Sequence, residues 1–154
     1  MSAFKNRLAR LERVKRIFEE EARAAWAERE RNARECEDAV SSVEQQIEAS
    51  RAEQRRLQAG QSHSIAEVLA GHAAIDGLMN QRNALARVAN EARRAADEVQ
   101  HVWQEKRSDV LALERLSERA LESHREEEKK ADADRMNEVA LGLDARKSRQ
   151  PKES

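Results

Sequence analysis

Four histidines, one cysteine and many carboxylates are the residues of this chain that could do chemistry. A metal centre needs nitrogen, sulfur or carboxylate ligands at short, defined spacing. His63, His72, His101 and His124 are scattered, with no such spacing to an acidic or thiol partner. Cys36 falls on an apolar helical line, where a buried thiol packs and stays inert. As the only cysteine it permits no internal disulfide, which fits a reducing cytosol. There is no phosphate-cradling glycine loop and no dinucleotide fingerprint. Acidic pairs recur wherever charge is dense, as in Glu19–Glu21 and Glu126–Glu128, and read as solvated helix faces. The expectation is a chain with no catalytic residue, cofactor or metal, so function must lie in surfaces.

The elements that position those surfaces are long helices. From Ser64 to Leu141 no proline occurs, and Glu67 stands three residues after Ser64, the spacing of a capping box. An apolar or small residue then recurs at steps of three and four: Ile75, Leu78, Leu85, Ala89, Ala92, Ala96, Val99, Trp103, Val110, Leu113. Arg82 and Lys106 interrupt the line. This is the narrow seam of a coiled coil rather than the wider stripe of a globular-core helix. A helix of that extent is about 110 Å long, which no compact domain of this length contains. Lysine and arginine number 29 against 30 acids, which argues against a nucleic-acid binder that neutralises many phosphates. No stretch is long and apolar enough to span a membrane, and the start lacks the apolar core of a secretory signal.

A first helix is predicted over about residues 3–57. One line on it runs through Phe4, Leu8, Leu11, Phe18, Ala22 and Trp26. Another runs through Ala33, Cys36, Val40, Val43, Ile47, Ser50 and Leu57, with a phase slip between Ala22 and Ala33. Residues 58–63 form the turn, with Gly60 as a left-handed C-cap and Ser62 and Ser64 as turn and N-cap residues. So short a loop makes the helices antiparallel, and facing residue numbers should sum to about 122. Trp26 then faces Ala95 and Ala96, Trp103 faces Phe18 and Ala22, and Leu113 faces Leu8. The fold class is all-α: one antiparallel coiled-coil hairpin over 1–141, with helix 2 at about 64–141 and an overhanging C-terminal segment. Gly142 ends helix 2, and 142–154 form a flexible tail.

Two features exceed what a hairpin needs. Near the tip, Val68, Leu69, Ile75, Leu78 and Met79 make helix 2 apolar beyond its seam, and Gly71 and Gly77 soften it at about 1 kcal/mol each. That combination reads as a docking surface. In the predicted register helix 1 runs out opposite Ala120, so Leu121 to Leu141 projects alone. Leu121, Arg125 and Met136 then have no partner within the chain.

The run Leu113-Glu114-Arg115-Leu116-Ser117-Glu118-Arg119, then Glu126-Glu127-Glu128-Lys129-Lys130 and Asn137-Glu138-Val139-Ala140, resembles the C-terminal signature of the FliJ family of flagellar export proteins. The order of parts is similar over nearly the whole chain: a basic helix start, a glycine turn near residue 60, Trp103 in mid second helix, then this run. The chain departs from the family in having His72 and Ile75 where many members carry Tyr or Phe, and Asn137 where an aspartate is usual.

The resemblance implies a non-enzymatic antiparallel coiled coil, similar to the stalk subunit of rotary ATPases. Such a protein sits in the hexameric flagellar export ATPase, reaches the cytoplasmic domain of the export gate and escorts export chaperones. It implies a cytoplasmic place at the inner face of the membrane, peripheral only through the export apparatus. It assigns Leu8, Leu11, Leu121, Arg125 and Met136 to the ATPase ring and Leu69, His72, Ile75 and Met79 to the gate. The stalk protein of virulence-type injectisomes has the same architecture and is the alternative, followed by a purely structural coiled-coil adaptor. An RNA-reading arm of the kind found on some tRNA synthetases fits less well, because the charges interleave and no catalytic domain is attached.

Overall fold

A computed structural model of the chain describes residues 2–60 and 64–149. Two helices account for nearly all of them: α1, Ser2–Ala59, and α2, Ile65–Arg149. They pack antiparallel as an all-α hairpin, and no strand occurs among the described residues. The chain divides into two compact units, each built from both helices: Met1–Val14 with Asp109–Ser154, and Lys15–Ser108.

The seam of α2 follows its sequence pattern. Ile75, Ala89, Ala96 and Val110 are buried, and the other apolar members, with Arg82 and Lys106, are half-buried. On α1, Ala33, Val43 and Ile47 are buried, and Cys36, Val40, Ser50 and Leu57 are half-buried. Ala33 and Ala96 reach 0% exposure, as small residues do where two helix backbones run close. Among the described residues no large side chain is wholly buried, so stability comes from a long row of partial burials.

The start of α1 departs from expectation. Leu8, Ala22 and Trp26 lie in the seam, but Phe4, Leu11 and Phe18 are exposed. Glu12, Lys15 and Glu19 take the inward places. Specific acceptor positions draw two of these in: Glu12 Oε1 accepts from the Ser117 hydroxyl, and Glu19 Oε1 accepts from Trp103 Nε1–H at 2.9 Å. The phase slip is taken up at Glu30, which sits half-buried four residues after Trp26.

The register also differs. Paired residue numbers sum to between 122, for Gln54 with Val68 and Glu19 with Trp103, and 130, for Arg51 with Met79 and Glu37 with Arg93. Gln54 with Val68, beside the turn, keeps the expected sum although α1 continues to Ala59, through positions expected to be turn. Trp103 meets α1 residues two turns apart: its Nε1–H reaches Glu19, and its ring stacks on Trp26, with ring centroids 5.2 Å apart and planes 3° from parallel, where the expected register set Trp26 against the small residues Ala95 and Ala96.

The ends of the helices bring two corrections. Gly60 has no positive φ; its N–H donates to the Leu57 carbonyl at 3.2 Å, a tight final turn in place of a left-handed cap. Ser64 caps α2 as expected, its hydroxyl accepting the Glu67 N–H at 3.1 Å. Gly142 does not end α2, which runs on to Arg149. Arg146, Lys147 and Arg149 in the last turn oppose the negative end of the helix dipole and favour that continuation. Ser62, His63 and the part of the expected tail from 150 onward lie outside the described residues.

Candidate functional site

Two surface regions hold the residues singled out from sequence. The first is the turn end of α2. Leu69 is 62% exposed and His72 is exposed. Ile75 is only 8% exposed and belongs to the packed seam. Met79 is half-buried, with its sulfur 3.9 Å from Arg51 Nη2. Ile65, one turn before Leu69, is the most exposed apolar residue here, at 80%. It was missed because it precedes the first seam repeat.

The glycines of this region do different work. Gln54 of α1 is buried, and its Nε2 donates to the Val68 carbonyl at 2.8 Å. A methyl at Gly71 would overlap the Gln54 amide. Gly71 therefore makes room for an inter-helix polar bond, a role distinct from softening the tip. A methyl at Gly77 would meet nothing within 4 Å.

The second region is the unit of Met1–Val14 with Asp109–Ser154. Leu8 is half-buried and Leu11 is exposed. Leu121 and Arg125 are exposed on α2. Every residue from Arg125 to Arg149 is exposed, so this part of α2 carries no packed face. Met136 is 76% exposed. Sequence reasoning missed its neighbours Val139 and Leu143, which continue the same stripe past the expected end of the helix and form a shallow apolar surface with Ala140.

The unit Lys15–Ser108 also holds an inter-helix ion cluster that the sequence pattern did not single out. Arg93 donates from Nη1 to Glu30 at 2.6 Å and from Nε to Glu37 at 3.0 Å, while Arg34 Nε reaches Glu30 at 3.2 Å. The Arg93 hydrogen bond holds the Glu30 carboxyl below its ordinary pKa against the opposing effect of desolvation. Bonds to Glu37 and Glu30 raise that of Arg93.

The groups that could do chemistry stay apart. His124 Nε2 lies 2.9 Å from Glu128 Oε1 one turn on, and His101 is exposed. The half-buried Cys36 thiol lies 4.0 Å from Asn32 Oδ1. Among the described residues no group of three His, Cys, Asp or Glu could hold a metal ion, and no helix is long and apolar enough to cross a membrane. Two surfaces stand exposed: the apolar pair Ile65 and Leu69 in one unit, and the bare helix segment Arg125–Arg149 in the other. No family model, curated protein or solved structure matches the chain.

Proposed function

We propose that this chain is a non-enzymatic component of flagellar protein export. In this reading it is the central stalk of the hexameric export ATPase, links that ATPase to the cytoplasmic domain of the export gate and escorts export chaperones. It works in the cytoplasm, at the inner face of the membrane, held there through the export apparatus. The observation that carries the reading is the fully exposed helix from Arg125 to Arg149. A solitary helix of this kind is marginal in water and gains its surface from a partner. A ring with a central hole encloses such a segment on all sides, and the resemblance of the 113–140 run supplies the partner's identity.

The test is a pair of double variants on exposed residues. Leu121→Asp with Arg125→Glu should abolish stimulation of the ATPase and spare binding to the gate domain. Ile65→Ser with Leu69→Ser should do the reverse, by about tenfold or more in affinity, since a few apolar anchors dominate such contacts. Both should keep full helical content by circular dichroism. If neither pair alters either contact, the stalk reading fails.

A further inference from the structure

The unit of Met1–Val14 with Asp109–Ser154 carries two exposed stripes of opposite charge. On α1 the stripe is Phe4, Arg7, Leu11 and Val14. On α2 it is Asp132, Met136, Val139 and Leu143. Both run at steps of three and four, the spacing of a coiled-coil seam. Residues 2–14 hold four bases and one acid, and the acid, Glu12, is turned inward to Ser117. Residues 126–138 hold six acids and three bases. Arg7, Arg10 and Arg13 have no ion-pair partner among the described residues, and Asp132 has only a 3.7 Å contact to the equally exposed Arg135.

We propose that these stripes are the two halves of one interface, and that a second copy of this chain is the occupant. In parallel alignment each pair is offset by the same amount. Arg7 of one copy meets Asp132 of the other, Leu11 meets Met136, and Val14 meets Val139. Phe4 then lies beside Lys129, a cation against a ring. The single charge within each stripe is thus matched by its opposite, which sets the register as a polar seam position does in a coiled coil. Each copy gives one α2 segment and receives one, so the exchange closes at two copies instead of propagating. Two small junctions of this kind make a weak dimer, tighter at low salt because its charges are exposed. It uses the same α2 segment that the export reading gives to the ATPase ring, so the dimer is the form of the chain outside that ring, and sedimentation of the isolated chain tests it apart from that reading.

Sedimentation velocity on the full chain tests it across a concentration series at low and high salt. The wild type should pass from monomer to dimer with rising concentration, and high salt should shift that transition upward. Met136→Asp with Val139→Asp should leave a helical monomer. Arg7→Asp alone and Asp132→Arg alone should each weaken the dimer by about tenfold or more. Both substitutions in one chain should restore it. A wild type that stays monomeric throughout overturns the proposal, as does a double exchange that fails to rescue. A monomer that floats with anionic lipid vesicles, and loses that on Arg7→Asp, assigns the α1 stripe to a membrane surface and also overturns it.

Discussion

Gln54 and Gly71 work as one unit, and a double-mutant cycle should reveal it. Replacing a glycine in an exposed helix interior by alanine gains about 1 kcal/mol. At Gly77, with open space around it, Gly77→Ala should show that full gain in urea denaturation. At Gly71 the methyl displaces the Gln54 amide, and losing a buried hydrogen bond costs about 1 kcal/mol. Gly71→Ala should therefore leave stability nearly unchanged, yet stabilise by about 1 kcal/mol in a Gln54→Ala background. Glu30 supports a second prediction. Its pKa is lowered in the folded state, so its contribution is complete above the ordinary carboxylate value and is lost as pH falls through the lowered one. Acid titration followed by circular dichroism should show a loss of stability in that range which Glu30→Gln reduces. Neither device was legible beforehand. Gly71 read as a softening of the tip because the group it makes room for sits on the other helix, and Glu30 read as one more surface acid.

Seam patterning reveals elements well where they are apolar and poorly where they are polar. Every member of the α2 line from Ile75 to Leu113 is buried or half-buried, because alternation at three and four leaves one choice of face. The start of α1 was read as one line through Phe4, Leu8, Leu11, Phe18, Ala22 and Trp26, too wide for one seam, so that Phe4-Leu11-Phe18 and Leu8-Ala22-Trp26 compete for it. Their competition was settled by acceptors for Ser117 and Trp103 that periodicity does not weigh. Register was legible at Gln54 with Val68 and at Glu19 with Trp103, but not at Trp26, which lies on Trp103 although a sum of 122 sets it against Ala95 and Ala96. Ala96, at 0% exposure, remains the place where bulk cannot fit. Ala96→Trp should overpack the seam and cost about 1–3 kcal/mol in thermal or urea unfolding. The same change at the exposed Val88 should be almost silent.

At the scale of the molecule, stability is distributed unevenly along one helix. α2 is packed through the seam and bare from Arg125 onward, so its backbone hydrogen bonds should open at very different rates. Hydrogen exchange should be slow for amides from Ile75 to Leu113 and fast from Arg125 to Arg149. A partner that encloses the bare segment should slow the second group and leave the first unchanged. The exposed functional candidates were partly legible. Leu121, Arg125 and Met136 followed from running out of α1, whereas Val139 and Leu143 were recognised as part of a longer stripe only once the helix was seen to pass through Gly142.

The stacked indoles have one further consequence. The chain has two tryptophans and no tyrosine, and both tryptophans occupy a single layer of the hairpin. Almost all of its intrinsic ultraviolet emission therefore originates at that layer, with Arg107 over one ring, 5.5 Å from its centroid. The protein contains its own local optical gauge of helix separation. Parting the helices there would unstack the rings and change the signal, while an event confined to residues 125–149 would leave it unchanged.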